Sequence, residues 1–463
     1  MNNPSAPDTV YVPVSYDGRH ENQPLLNKQP QQQPNHGCTR GVLCKRCLAG
    51  THKNTPGRSF LRRLIAVLSL LWFVWVVKHW VLDHSIWSDN HCFHHLVAWN
   101  GPSTISSYAA DSIEVAFGKG DITSSVEVLT REDVVKPTVF VDAWVTKNYP
   151  EEEDVKERER VMKGLEVKIT EFNGKLTIVF SSEDNTGRRG PHWPHNRKFC
   201  AKVDIKVVFP STLRSYNRLI IGGALLDLDV RGISKIAFES IQLRTTVGSI
   251  VGVDDVKAKS LDIASVTGSI KIGSIKPVEG HGLSVMLETT VGSIRVNATT
   301  NPILSSDKTP EELRHNLIIK SNTGSVEAVV RPGSAYDYAV QQKKGSVIGD
   351  VYVNALSLVG HVATDVVLAP GQVLHQELSA NMGSVQSTVS DSFLGSIDVR
   401  TDYGGASVTE APASASIIQY EENTRTVKVG HKVLLNDGRG GSEERKGVMN
   451  LQTHYGGASL NFV

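Results

Sequence analysis

Apolar residues alternate with polar ones through most of the second half of this chain, and at intervals the alternation changes phase across a glycine. Leu283, Val285 and Leu287 hold odd positions before Gly292, and Ile294 and Val296 hold even ones after it. Leu317 and Ile319 give way to Val326, Ala328 and Val330 across Gly324-Ser325, and Tyr336, Tyr338 and Val340 to Val347, Val351 and Val353 across Gly345-Ser346. A period of two predicts strands, and a phase change without a bend would turn the apolar set toward water. A glycine able to take positive φ supplies the bend, and the serine after it is expected to hydrogen-bond nearby backbone.

The pair recurs as Gly248-Ser249, Gly268-Ser269, Gly292-Ser293, Gly324-Ser325, Gly345-Ser346, Gly383-Ser384 and Gly395-Ser396, with a relaxed Tyr-Gly-Gly-Ala-Ser at Tyr403 and Tyr455. Successive corners are mostly about 20 to 38 residues apart, within the range of repeat architectures. The predicted fold class is all-β: a β-solenoid-like repeat domain over 213–463 preceded by a small sheet over 105–212 that caps it. Within that front section Ile113, Val115 and Phe117 alternate, and Leu165–Ile169 and Leu176–Phe180 flank Asn173-Gly174 as a hairpin. Loops are expected at 150–163, which is densely charged, and at 183–199.

The stretch Ile241–Gly273, reading IQLRTTVGSIVGVDDVKAKSLDIASVTGSIKIG, and then LSVMLETTVGSIRV resembles the putative-adhesin family of β-solenoid domains of unknown function. The lead-in KVDIKVVFPSTL is similar to the strand ending in Pro-Ser that precedes such repeats, and a polar tail before a membrane anchor looks like forms found in fungi. The resemblance spans about residues 200 to 410. It implies a surface role and no catalytic residues.

The N-terminal pattern is different. Residues 1–58 are rich in Gln, Asn and Pro without an apolar period, which predicts a disordered cytosolic tail. Leu64–Val77 is apolar apart from Ser69 and is extended past Lys78 and His79 by Trp80, Val81 and Leu82. A helix over 59–83 is long enough for one membrane span, with a buried or interfacial helix as the rival reading. Lys45, Arg46, Lys53, Arg58, Arg62 and Arg63 precede it against Lys78 just after, which places the N-terminus in the cytosol. Residues 84–104 follow as a juxtamembrane linker, and the remaining chain faces the lumen or cell exterior.

Composition and charge narrow the chemistry. A formal net charge of +1 gives no global nucleic-acid signal, and no nucleic-acid partner is expected. Cys92 and Cys200 are the only cysteines beyond the span and either pair in an oxidising lumen or remain thiols. Cys38, Cys44 and Cys47 near the span admit lipidation, half of a zinc site, or no role at all. Asn297-Ala298-Thr299 is an N-glycosylation sequon. The loop bearing Arg188, Arg189, His192, Trp193 and Arg197 can contact an anionic or carbohydrate ligand by charge and stacking, or be an ordinary basic insertion.

No cofactor is implied. The function expected is non-catalytic: a membrane-anchored, adhesin-like recognition or scaffold module, with a cell-wall glycan, another surface protein or a second copy as partner. The alternatives are a membrane-tethered carbohydrate-active β-helix enzyme using carboxylates such as Asp227 and Asp229, and an intracellular self-assembling scaffold.

Overall fold

In the computed structural model of the chain, the described residues are 96–463 apart from 108, 119–121, 147–162, 183–200, 301–312, 334–348, 370, 413 and 435–445. The predicted membrane span, the tail predicted to be disordered and most of the two predicted front loops lie outside them. Among the described residues no helix is long and apolar enough to cross a membrane. The described fold is all-β, with 26 strands hydrogen-bonded into one sheet.

The front strands are β1 (Leu96–Ala98), β2 (Thr104–Ser106), β3 (Ser112–Phe117), β4 (Ile122–Arg131), β5 (Thr138–Thr146), β6 (Leu165–Phe172), β7 (Lys175–Ser182) and β8 (Ala201–Pro210). Next come β9 (Ser215–Val230), β10 (Ala237–Val247), β11 (Ile250–Thr267), β12 (Ile270–Pro277), β13 (Leu283–Val291), β14 (Ile294–Thr300), β15 (His315–Thr323) and β16 (Val326–Pro332). The chain continues through β17 (Val351–Val359), β18 (Val362–Val366), β19 (Leu374–Met382), β20 (Val385–Val389), β21 (Gly395–Tyr403) and β22 (Ala406–Thr409). It finishes with β23 (Ser416–Asn423), β24 (Val427–Leu434), β25 (Gly447–Tyr455) and β26 (Ala458–Phe462).

Two parallel ladders carry the phase change. In the first, Leu243, Ile263, Leu287, Ile319, Ala355, Leu378, Leu451 and Val399 form one row of register partners. In the second, Ile250, Ile270, Ile294, Val326, Val362, Val385, Ala458 and Ala406 form another. Every residue of both rows is buried, so each tier of the stack contributes aliphatic side chains to one continuous core. Burying each Leu, Ile or Val side chain of these rows stabilises the fold by roughly 1.5–3 kcal/mol.

The front strands extend the same ladders. Ile113 of β3 pairs with Leu219 and Val126 of β4 with Leu228, both parallel on β9. Antiparallel strands close this end: β6 on β7, and β5 on β8. The β6–β7 turn has φ of 48° at Asn173 and 74° at Gly174, the positive pair that a type I′ hairpin requires. The other end closes in the same manner, with β24 antiparallel on β21 and β23 on β24. Such strands blunt a stack that would otherwise offer bare parallel edges.

The order of tiers is not the order of the chain. β25 lies between β19 and β21, and β26 between β20 and β22. The last strand pair in sequence is therefore an internal tier, and β21–β24 stack outside it.

Candidate functional site

Each first-ladder strand turns into its second-ladder partner at a tight corner, and the corners stack into a column. A Cβ built on Gly268 would lie 2.0 Å from the Gly248 carbonyl oxygen, and one on Gly292 would lie 2.0 Å from that of Gly268. The same relation continues through Gly324, Gly360, Gly383, Gly456 and Gly404, making a column of eight glycines counted from Gly248. Gly292, at φ +150°, also occupies backbone that L side chains rarely adopt. Its N–H donates to the Thr323 carbonyl at 2.8 Å, so the ladder passes through the corner without a break.

Six of the column's glycine carbonyls accept from a hydroxyl of the next tier. Ser265 donates to Gly248 O at 3.2 Å, Thr289 to Gly268 O at 3.1 Å and Ser321 to Gly292 O at 3.0 Å. Ser357, Thr453 and Thr401 do the same to Gly324, Gly383 and Gly456. These donors stand three residues before the corner glycines and are buried. They fill the backbone-bonding role expected of the serines that follow the glycines, because those serines lie on the outer side of the turn. Ser249 instead presents its N–H to Asp227 at 2.8 Å, Ser325 its N–H to the Ser293 hydroxyl at 3.4 Å, and the Ser384 hydroxyl pairs with His361 Nδ1 at 2.7 Å.

One predicted corner falls elsewhere, and one lies outside the described residues. Gly395-Ser396 opens β21 and faces Gly447, outside the column, because its tier turns at Gly404. Gly345-Ser346 lies outside the described residues, and Gly360 holds the column position between Gly324 and Gly383. The residue before each glycine builds a ridge in register: Val247, Thr267, Val291, Thr323, Val359, Met382, Tyr455 and Tyr403. Tyr403 and Tyr455, one from each Tyr-Gly-Gly-Ala-Ser, stack at 4.9 Å and remain half or more exposed.

The opposite connection of each tier, where a second-ladder strand leads to the next first-ladder strand, is irregular in length. Here a groove of about 730 Å³ opens beside Arg214, Lys235, Lys257, Lys276 and Glu279. Register places Lys257 of β11 beside Lys276 of β12. Arg214 and Lys235 lie in the connections that precede β9 and β10. Sequence reasoning missed this group because its members are spread over three tiers. The only signal available was the placement of lysines near strand starts and ends.

Several polar side chains elsewhere among the described residues are engaged in structural contacts. Asp229 forms an ion pair with Arg231, its Oδ1 2.7 Å from Nε, so both carboxylates of the hydrolytic alternative have partners. Gln376, Thr364 and Ser387 close a buried ring of hydrogen bonds at 2.8–3.0 Å. The Tyr216 phenol donates to the Ala110 carbonyl at 3.2 Å, and burial, reinforced by Asp111, raises its pKa. Asn297 is exposed on β14 and donates its amide to the Gly273 carbonyl at 2.6 Å. Cys38, Cys44, Cys47, Cys92, Cys200 and the Arg188–Arg197 loop lie outside the described residues.

Residues 292–463 match a domain of unknown function, DUF7330, which is less than half of the 463-residue chain. The chain matches no protein of curated function. Among solved structures, one similar chain is a putative cell adhesion protein from Clostridium sporogenes, 8% identical, with a TM-score of 0.18 and coverage of 78% of this chain and 98% of that one. A putative adhesin from Parabacteroides merdae is 12% identical, with a TM-score of 0.28 and coverage of 64% and 90%. At these scores the likeness carries no argument about function.

Proposed function

We propose that the chain is a non-catalytic recognition module of adhesin-like character, built as a β-solenoid-like stack and displayed on the lumenal or outer side of a membrane by the apolar segment at 59–83. The observation that supports it most is the unbroken parallel register from β10 to β21. It repeats every outward position at the strand spacing of about 4.8 Å and so presents long rows of outward side chains in register. Such rows suit an extended or multivalent partner better than a single reacting bond. The engagement of Asp227 and Asp229 in structural contacts favours recognition over hydrolysis.

Two measurements test this together. The intact chain incubated with a panel of wall polysaccharides is expected to retain at least one of them without shortening it; release of shorter products would sink the non-catalytic reading. Glycosidase treatment in the native host is expected to shift the chain on a gel, with the shift lost in Asn297→Gln and residues 96–463 protease-protected in sealed vesicles. A protease-exposed β region would defeat the membrane topology and favour an intracellular scaffold.

A further inference from the structure

We infer that the groove on the connection side is a binding site for a linear acidic polysaccharide carrying carboxylate or sulfate groups along its length, an assignment that rests on the recognition reading above. Its volume, about 730 Å³, falls within the range of ligand sites. Arg214, Lys235, Lys257 and Lys276 line it against Glu279, the one carboxylate of the described lining. Four cations to one anion is a local departure in a chain whose formal net charge is +1. Two other cations of the same strands have carboxylate partners: Lys259 with Glu239 at 2.7 Å and Arg244 with Asp262 at 2.7 Å. Among the described residues no carboxylate pairs with Arg214, Lys235 or Lys257.

The arrangement has a direction. Lys257 and Lys276 are register partners on adjacent strands, about 4.8 Å apart at the backbone, with Lys235 and Arg214 toward earlier tiers. Thr299, Pro332 and Gly333 continue the groove toward later tiers. The Lys257–Lys276 step along the stack axis is comparable with the advance of one sugar ring in an extended glycan.

The remaining lining decides between polyanions. Pro277, Val278 and Pro332 offer apolar walls and Thr299 a hydroxyl, surfaces that pack against pyranose rings. No aromatic side chain is in the described lining, so single-stranded nucleic acid would lack the stacking platform that supplies much of its affinity. Three of the four cations are lysines, point charges that tolerate varied acid geometry and do not impose the bidentate fork of arginine.

The test is fluorescence anisotropy on the intact chain with labelled oligogalacturonate, run beside a sulfated glycosaminoglycan oligomer and a neutral oligoglucan. Saturable binding of at least one acidic probe is expected, weakening ten-fold or more in Lys235→Gln/Lys257→Gln and leaving Lys320→Gln, outside the groove, unchanged. Affinity is expected to fall as salt rises from about 0.01 to about 0.15 M, where the screening length contracts from about 30 to about 8 Å. The stronger probe identifies carboxylate or sulfate as the recognised acid. Equal binding of the neutral glycan, no effect of the double variant, or tighter binding of a single-stranded oligonucleotide overturns the assignment while leaving recognition of another ligand intact. Shortening of the bound oligomer overturns the non-catalytic reading and leaves the groove as its binding site.

Discussion

The two ends of each strand pair solve the same problem differently. At the glycine corner the chain turns in a fixed number of residues, and tiers are fastened by backbone: a glycine N–H to the next tier, a glycine carbonyl to a buried hydroxyl. On the connection side the lengths vary, and to backbone bonds such as Val367 N–H to the Val330 carbonyl at 2.9 Å are added contacts of particular side chains. Near the C-terminal end Lys432, fully buried, reaches from β24 to Asp391 in the connection between β20 and β21, at 2.5 Å to the carboxylate and 2.6 Å to its carbonyl. The uniform side has no room for variation, and the variable side is free to carry a ligand site.

The corner should therefore be the more fragile of the two. Gly292→Ala would place a Cβ 2.0 Å from the Gly268 oxygen in a backbone region closed to alanine. A loss of about 4 kcal/mol is expected, read as a fall in the chemical-denaturation midpoint. Gly405→Ala is the matched control, because nothing lies within 4 Å of its Cβ position; a shift under about 0.5 kcal/mol is expected. Equal losses in the two variants would dissolve the column as a distinct structural feature.

The same contrast explains what was legible in the sequence. Strand periodicity projects onto sequence directly, so the phase changes at Gly248, Gly268, Gly292 and Gly324 mark real corners. Gly360 escaped because His361 follows it in place of serine, although the buried Ser357 three residues earlier is the partner that matters. Gly395-Ser396 has the dipeptide without an alternating strand leading into it, and it opens a strand. The position of β25–β26 inside the stack left no local trace, since every tier presents the same kind of apolar row to either neighbour. The groove was equally hidden: its cations share no local motif, and only the register of β11 with β12 sets Lys257 beside Lys276.

On the connection side, removal of one side chain should have an intermediate effect. Lys432→Met leaves Asp391 without its ammonium partner, but the Asp391 side chain is 30% exposed, so water compensates in part and about 2 kcal/mol is expected. Burial pushes the Asp391 pKa up, yet the Lys432 and Ser414 hydrogen bonds and the Lys432 charge outweigh it and hold the carboxyl below its ordinary value. A depressed folded pKa stabilises in full above the unfolded value of about 3.9 and ceases to do so as pH falls through the folded value. Denaturation midpoints of wild type and Lys432→Met should converge on acidification below about pH 4. A gap that persists undiminished at low pH would remove Asp391 from this role.

The smallest effects probe the hydroxyl row, and here one tier differs from the rest. Thr245, Ser265, Thr289, Ser321, Ser357, Thr453 and Thr401 share a row of register partners in which Ala380 stands between Ser357 and Thr453. Ser321→Ala removes a bond of 3.0 Å to a buried carbonyl and should cost about 1 kcal/mol. Ala380 is itself 4% exposed, and its row places it where a hydroxyl would meet the Gly360 carbonyl. Ala380→Ser should therefore stabilise the chain by about 0.5–1 kcal/mol, because it adds a donor where the backbone already presents the acceptor and only a small volume is gained. A gain in Ala380→Ser that disappears in a Gly360→Ala background, where the column itself is disturbed, would show that both act through the same corner. If Ala380→Ser instead destabilises, the Gly360 carbonyl is out of reach and the row is interrupted at this tier by geometry as well as by composition.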